Sequence, residues 1–411
     1  MTTQWIKGVD LSSLYEEEGL GAKYFDSSFN ESTRLKSNPS VPNIDPKTVP
    51  SEDVFTILSR YGINYLRLKL WNDPYDSNRR PYGAGTNDLA TDLSLARRAL
   101  KKGWGFLLNF HYSDFWADPG KQIPPKAWTD YSEEELLQAV YNYTKETLLT
   151  FQKEGAMPTM VQIGNEITNG LLWPLGKKPW PEEMAADPVA GEKQYERIAR
   201  LVSSGIRAVR EVDPSIQVMI HLDNGGNNAM YVDWFDHYQT YATEDFDILG
   251  MSYYPFWHGA MKDLVFNMAD CLKRYHKDIV IDEVSMGFTM EDYASYEQLS
   301  PSKRKGYATK PHLVEGLEYP MTKEGQCAFM KDLMGHIASL KDGNNTLRGL
   351  GFFYWEPAWI PVPGCGWAND EALAYTKEKG PGGNEWANQA LFDYDGHVLP
   401  ALTTIRDFNP C

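Results

Sequence analysis

The sequence has few cysteines, no cysteine–histidine clusters and no excess of positive charge. Its four cysteines, Cys271, Cys327, Cys365 and Cys411, are far apart, which argues against a zinc site and leaves thiol or disulfide open. Against 56 Asp and Glu residues there are only 40 Lys and Arg, giving a formal net charge of −16. So acidic a chain repels nucleic acid and anionic membrane surfaces, and neither is expected as a partner.

Long apolar segments are also absent. No run of about 18 or more apolar residues occurs, so no helix is expected to cross a bilayer. Met1 is followed almost directly by an apolar, alternating strand, without the basic and apolar regions of a secretory signal. The localisation stays open: cytoplasmic if Met1 is the native start, secreted if a leader has been removed.

The chain does contain eight short apolar runs, rich in β-branched or aromatic residues, which alternate with amphipathic segments. The runs cover residues 6–10, 64–71, 105–111, 160–166, 216–223, 247–255, 279–283 and 350–355. The amphipathic segments cover residues 51–61, 88–102, 132–154, 192–212, 230–241, 261–275 and 323–340. This alternation predicts an α/β protein, a single (β/α)8 TIM barrel, with residues 1–411 forming one catalytic domain.

An open, doubly wound sheet is the main alternative. A nucleotide-binding sheet of that kind has a glycine-rich turn after its first strand, whereas residues 10–13 here read Asp-Leu-Ser-Ser. The segments after the seventh and eighth runs, roughly residues 285–320 and 359–400, far exceed the usual loop of about 4 to 6 residues. Both are rich in Gly, Pro and aromatic residues, and we expect them to form ordered walls of a cleft.

Two glutamates end strongly apolar runs, Glu166 at the fourth and Glu283 at the seventh. Active sites of barrels collect at these strand ends, and glycoside hydrolysis needs a pair of carboxyl groups there. Taken singly, either glutamate is equally well explained as a salt-bridged residue; the pair favours catalysis. We expect Glu166 to be the general acid/base and Glu283 the nucleophile.

Neighbouring polar residues strengthen this interpretation. The amide of Asn165, directly before Glu166, is suited to binding a sugar hydroxyl. Arg67, near the end of the second run, is expected to keep Glu283 ionised and its pKa low. Glu166 lacks such a partner and is expected to titrate higher, which is the division of roles that a retaining mechanism requires.

Tryptophans gather at or after the predicted strand ends, where aromatic faces stack on sugar rings. A lone Trp usually packs in a core, but a ring of them around a barrel mouth favours a sugar ligand. They are Trp71, Trp116, Trp128, Trp173, Trp257, Trp355, Trp359 and Trp367.

Seven stretches carry a family resemblance that runs nearly end to end: KGVDLSS at 7–13, WNDPYD at 71–76, NFHYSDFWADPGKQ at 109–122, IGNEITNGLLWPLG at 163–176, SYYPFWHG at 252–259, FYWEPAWIP at 353–361 and NQALFDYDG at 388–396. Together they resemble family 53 of the glycoside hydrolases, the arabinogalactan endo-β-1,4-galactanases. The resemblance implies a retaining enzyme that cleaves β-1,4-galactosidic bonds inside galactan or type I arabinogalactan, acting on the polymer or on galacto-oligosaccharides.

The resemblance also implies roles for individual residues. The catalytic group would comprise Glu166, Glu283, Asn165, Arg67, His111 and Tyr253. Substrate binding would fall to Asp114, Trp116, Tyr254, Trp257, Trp355 and Trp71. No partner besides the sugar is implied, and we expect a monomer.

The chain departs from the family pattern in two places. After the nucleophile it reads Val-Ser-Met, where many members have Thr and then an aromatic residue, so the local cleft wall is expected to differ. Some bacterial members bind calcium in the loop after the seventh strand, but residues 287–320 lack a dense run of oxygen ligands. We therefore expect neither a metal nor another cofactor.

Three other functions are alternatives for a barrel of this kind. A metal-dependent barrel hydrolase needs His-x-His after the first strand, where this chain has Asp-Leu-Ser. A non-catalytic sugar-binding protein would not need both Glu166 and Glu283. Another retaining β-glycanase or β-glycosidase of the same clan stays open, because the catalytic framework does not specify the sugar or endo against exo cleavage.

Overall fold

Eight parallel strands pair in chain order and close into a barrel, with β8 beside β1. The computed structural model describes residues 5–26, 50–293, 308–379 and 382–410. The predicted TIM barrel is confirmed, and all eight predicted strands are present. The strands are β1 (Ile6–Asp10), β2 (Tyr65–Leu70), β3 (Gly105–Phe110), β4 (Met160–Ile163), β5 (Gln217–Leu222), β6 (Ile248–Tyr253), β7 (Asp278–Val284) and β8 (Gly349–Trp355).

Helices follow the strands on the outside of the barrel, and each predicted amphipathic segment contains one. In the described residues they are α1 (Leu14–Gly19), α2 (Val54–Arg60), α3 (Leu89–Lys101), α4 (Glu133–Lys153), α5 (Pro181–Ala186), α6 (Pro188–Val212), α7 (Asn228–Tyr241), α8 (Met261–Tyr275), α9 (Pro311–Val314), α10 (Lys323–Ala338), α11 (Asp370–Thr376) and α12 (Pro400–Asp407). Their ends follow local capping. For example, Ser132 and Glu135 form a capping box that starts α4.

The fourth strand is shorter than predicted, ending at Ile163 rather than at Glu166. Gly164 has φ +80°, and a Cβ there would lie 2.5 Å from the side chain of Ile167. Glu166 itself is left-handed, with φ 46°, a conformation that breaks strand pairing. This turn carries Glu166 out of the sheet at its carboxyl end.

The barrel interior changes from apolar to polar along the strands. Its lower layer is an apolar cluster of Ile6, Leu107, Met160, Met219, Ile248, Val280, Leu350 and Phe353. Two residues further along β3, β4 and β5, on the same inward face, come Asn109, Gln162 and His221, all fully buried. The polar layer therefore lies towards the carboxyl ends of the strands, above the buried apolar cluster.

Two connections are long, as expected. Val284 ends β7 and α10 begins only at Lys323, while Trp355 ends β8 and α12 begins only at Pro400. Residues 294–307 of the first connection and 380–381 of the second lie outside the described parts of the chain.

Two further observations concern thiols and membranes. The three cysteines within the described residues, Cys271, Cys327 and Cys365, are free thiols. Over the same residues, no helix combines the length and the apolar character that spanning a bilayer requires.

Candidate active site

A cavity opens at the carboxyl ends of the strands, above the polar layer. Five of the six residues expected to be catalytic line it, namely Arg67, His111, Asn165, Glu166 and Glu283. Three of the six expected to bind substrate line it as well, namely Trp116, Tyr254 and Trp355. The structure thus brings eight of these twelve residues to one cavity, although they come from strands and loops far apart in sequence.

Glu283 is held from two sides. Its Oε1 forms an ion pair with Arg67 Nη2 at 2.8 Å, and its Oε2 accepts a hydrogen bond from the Tyr254 hydroxyl at 2.8 Å. Its side chain is almost completely buried. Two directional donors on separate oxygens fix the plane of the carboxylate, which is what an in-line attack requires of a nucleophile.

A bulge in β7 lets neighbouring residues reach the same arginine. Consecutive strand residues normally point to opposite faces, yet Asp282 and Glu283 both lie within ion-pair distance of Arg67, at 3.0 and 2.8 Å. The register of β7 shifts against β6 at this point, between the pairs Met251–Ile281 and Ser252–Glu283. The extra residue turns the Glu283 side chain towards the cavity.

Burial dominates the electrostatics of both glutamates. It raises the pKa of Glu283 above its ordinary value, although Arg67 and the Tyr254 hydroxyl lower it. The expectation of a depressed pKa at Glu283 is therefore wrong, because desolvation outweighs the ion pair. Burial, and then the charge of Glu283, raise the pKa of Glu166 well above its usual range. The expected order, with Glu166 titrating higher, is retained.

A hydrogen-bond chain fixes Glu166. The Ser252 hydroxyl donates to Glu166 Oε1 at 2.7 Å, and Ser252 Oγ in turn lies 2.8 Å from His221 Nε2. His221 Nδ1 lies 3.0 Å from Gln162 Nε2 and accepts from the backbone N–H of Glu166 at 3.4 Å. Because a backbone N–H can only donate, the ring proton is on Nε2 and is donated to Ser252. Because Oε1 is an acceptor in this chain, the proton of neutral Glu166 resides on Oε2.

His111 presents a donor to the cavity. Its Nδ1 accepts from Trp71 Nε1 at 3.3 Å and from the backbone N–H of Ala117 at 3.1 Å, which leaves the ring proton on Nε2. Burial lowers the pKa of His111 well below its usual value, so the ring is neutral. Trp71 is fully buried and outside the cavity lining. It orients His111 instead of meeting substrate.

Aromatic side chains form the cavity walls. Trp116, from the loop after β3, stacks on Trp367 with ring centroids 4.2 Å apart and planes 8° apart. Trp355, at the end of β8, packs edge-on against Trp386 at 5.3 Å. Trp367 and Trp386 both come from the long connection after β8. They line the cavity; Trp367 is one of the tryptophans expected around the barrel mouth, whereas Trp386 was not predicted from the sequence.

Two expected site residues lie elsewhere. Tyr253 alternates with its neighbours on β6, so it points away from the cavity; its hydroxyl donates to Gly259 O at 3.0 Å and its ring stacks on Phe329 of α10. Tyr254, one residue on, reaches Glu283 instead. Asp114 is buried and accepts from the backbone N–H of Asp73 and Lys126 at 2.9 and 2.7 Å, which ties loops together below the cavity wall.

Trp257 lies beside the cavity. Its side chain is 42% exposed, and it packs edge-on against two cavity residues, Tyr254 at 6.0 Å and Trp386 at 5.8 Å. It is therefore in reach of a ligand that extends out of the cavity, unlike Tyr253 and Asp114.

Two charged residues that line the cavity, Lys69 and Asp118, were not predicted from the sequence. Lys69 on β2 lines the cavity and forms a 2.7 Å ion pair with Glu356, just after β8. The signal was its spacing of two from Arg67, which puts both side chains on the inner face.

The described residues hold no cluster of metal ligands. No group of three or more His, Cys, Asp or Glu side chains suited to a metal occurs within residues 5–26, 50–293, 308–379 and 382–410. The loop considered for calcium, residues 287–320, falls partly on residues 294–307, outside the described structure. The expectation of no metal there stays a prediction.

Comparisons with known proteins give one consistent result. A family model described as Glycosyl hydrolase family 53 matches residues 6–405. The chain is 34% identical to a Bacillus subtilis (strain 168) protein named endo-beta-1,4-galactanase, covering 99% of this chain and 86% of that relative. It is 30% identical to the arabinogalactan endo-beta-1,4-galactanase of Humicola insolens, covering 86% and 90%. The solved Ignisphaera aggregans GH53 catalytic domain is 35% identical, with TM-score 0.79 and coverage of 99% and 96%.

Proposed function

The chain belongs to glycosyl hydrolase family 53, and from that membership we propose that it is a retaining endo-β-1,4-galactanase with Glu166 as general acid/base and Glu283 as nucleophile. One observation carries the assignment of roles. The two carboxyl groups line the same cavity, but Glu283 is paired with a guanidinium and Glu166 is not. Different surroundings give identical side chains different protonation states, as glycoside hydrolysis requires.

In the first step, neutral Glu166 donates its proton to the glycosidic oxygen while Glu283 attacks the anomeric carbon. The glycosidic bond breaks, the leaving sugar departs with the proton, and a glycosyl ester forms on Glu283. In the second step, ionised Glu166 takes a proton from water, the water oxygen attacks the anomeric carbon, and Glu283 is released. The raised pKa of Glu166 supports the first step, since burial and the charge of Glu283 favour the protonated form that donates the proton.

Several groups are placed to assist. Asn165 is held by its Oδ1, which accepts from Arg67 at 3.0 Å, and its Nδ2 donates to Ala117 O at 2.9 Å. One hydrogen of that amide is left for a sugar hydroxyl. The Nε2–H of His111 is a second donor. The faces of Trp116 are occupied by Trp367 and by the Lys69 ammonium, so we propose that Trp355 stacks on a sugar ring and that Trp257 extends this surface outside the cavity.

One catalytic domain is part of this proposal, because the residues that line the cavity come from the strands and loops of one barrel, whose strands run from Ile6 to Trp355. The monomer expected from the sequence stays a prediction. The net charge of −16 supports a function without nucleic acid.

The substrate is tested by comparing polymers. We expect β-1,4-galactan to be degraded, with viscosity falling early relative to the reducing ends formed, because the long connection after β8 contributes Trp367 and Trp386 to a cavity wall that we propose to extend into a cleft for a chain in mid-length. Cellulose, β-mannan and xylan serve as parallel substrates, since other retaining glycanases of the clan are the alternative. Degradation of one of these with galactan untouched would overturn the specificity, and release of galactose alone from the first minutes would overturn endo cleavage.

The pH profile tests the role of Glu166. The Ser252 hydroxyl stabilises the ionised form of Glu166 and so lowers its pKa. Replacing Ser252 by alanine removes that bond, and the pKa of Glu166 should rise further. We expect the alkaline limb of kcat/KM, which reports loss of the acid proton, to move to higher pH. The acid limb, which reports Glu283, is the internal control and should not move; an unchanged alkaline limb would contradict the role.

A further inference from the structure

Lys69 is a buried cation on the wall of the proposed galactan site. Its side chain is 1% exposed, yet it lines the same cavity as Glu166 and Glu283. Its ammonium pairs with Glu356 at 2.7 Å. A buried lysine needs a counter-ion, and that pairing alone accounts for its charge. The ion pair does not explain why the Lys69 side chain lines the cavity.

Glu356 is itself held rigidly. It is a non-glycine residue with φ 48°, in a region that is costly for such side chains. Its carboxylate accepts from the Ser13 hydroxyl at 2.5 Å and from the Ser13 backbone N–H at 3.2 Å. Ser13, more than 300 residues away in sequence, therefore holds the Glu356 carboxylate in place. The carboxylate in turn holds the Lys69 ammonium.

The ammonium has more donors than these partners use. It carries three hydrogens, of which one goes to Glu356 Oε1. A second faces the ring of Trp116, whose centroid is 4.4 Å from Nζ. Within the described parts of the chain, no other acceptor is within hydrogen-bond distance of Nζ. The third hydrogen is left on the side of the cavity.

We propose that Lys69 is a substrate-binding residue whose ammonium donates a hydrogen bond to a ring hydroxyl of the sugar in the cavity, with Glu356 as the positioning residue that aims it. The inference rests on the proposed function, because it takes a galactan chain as the occupant. The contact with Trp116 places the ammonium on the aromatic wall that also includes Trp355, so a hydroxyl of a sugar stacked on Trp355 is the acceptor that this donor would meet.

The test measures binding rather than turnover. Glu283→Gln removes the nucleophile and its titration, so Lys69 cannot act through the pKa of Glu283. In this background, β-1,4-galactotetraose is titrated calorimetrically into the protein that keeps Lys69 and Glu356 and into Lys69→Met/Glu356→Gln. The first keeps the buried ion pair and the second removes both of its charges, so neither leaves an unpaired buried ion. We expect the second to bind roughly 10- to 100-fold more weakly, the usual effect of losing a charged hydrogen bond.

A second double variant distinguishes loss of binding from loss of folding. Lys69→Gln/Glu356→Gln has two amides able to bond to each other, but its side chain at 69 is shorter and should show the same loss of affinity. Thermal unfolding of each variant establishes that it is folded. Equal affinity of either folded double variant and of the protein that keeps Lys69 and Glu356 would overturn the role of Lys69. If Glu283→Gln binds no galactotetraose but binds another β-1,4-linked tetrasaccharide, the proposed substrate is wrong, and the same comparison of variants with that sugar decides the role of Lys69.

Discussion

Replacing Glu283 by alanine is expected to lower the turnover of galactan by a factor of about 10⁴ or more. The variant has no group to form the covalent bond to the anomeric carbon. Arg67 and Tyr254, which hold this carboxylate at 2.8 Å each, cannot act as nucleophiles. The measurement is kcat/KM on galactan and on an aryl β-galactobioside, and the loss should be similar on both, because each needs the nucleophile.

Two further measurements make this test more specific: rescue of Glu283→Ala by azide, and the activity of a variant of the neighbouring carboxylate. Azide should enter the space vacated in Glu283→Ala and give the α-galactosyl azide with an activated substrate, in a single displacement seen by NMR. Asp282→Asn is the matched control, since Asp282 pairs with the same Arg67 at 3.0 Å but lies outside the cavity lining. Its loss should be much smaller. A fully active Glu283→Ala, or an equally inactive Asp282→Asn with no azide rescue of Glu283→Ala, would refute the assignment.

Glu166→Ala should lose roughly 10²- to 10⁴-fold on galactan, the usual contribution of a general acid. The alkoxide of a sugar is a poor leaving group without a proton. On an aryl galactobioside whose phenol needs no protonation, the first step should proceed almost normally. The second step then lacks its base, so the glycosyl ester on Glu283 should accumulate and appear as a burst of phenol.

The two glutamates should also differ in their azide products. In Glu166→Ala, azide should attack the accumulated ester and speed turnover, giving the β-galactosyl azide after two inversions. This is the opposite anomer to that expected from Glu283→Ala. Should both variants yield the same anomer, or lose activity equally on activated and natural substrates, the roles assigned here are wrong.

Site residues at the ends of strands could mostly be predicted from the sequence, whereas the direction of each side chain there could not. Glu166, Asn165 and Arg67 were found because each lies at or near the end of an apolar run, and all three line the cavity. Tyr253 and Tyr254 are adjacent and chemically alike, so only the direction of β6 distinguishes the one that reaches Glu283. Alternation is strict within a strand, but its phase at the last residue depends on pairing and bulges.

Long-range pairing explains the residues that were missed. Lys69 and Glu356 are 287 positions apart and form their ion pair only because β2 and β8 lie on either side of β1 in the closed barrel. Trp386 joins the site by packing edge-on against Trp257 of the loop after β6 and against Trp355 of β8. No local pattern marks such pairs, because each partner resembles an ordinary loop or strand residue until the fold brings them together.

The sequence by itself determined the barrel, the family and the positions of the two glutamates, because strand–helix periodicity and motif spacing are local patterns that can be read along the chain. Only the tertiary structure decided that desolvation outweighs Arg67 in setting the pKa of Glu283. It also decided that Trp71 and Asp114 hold neighbouring residues of the site without lining the cavity, and that Lys69 lines the cavity. Burial and the direction of a side chain depend on every element packed around a residue, so they exist only once the barrel has closed.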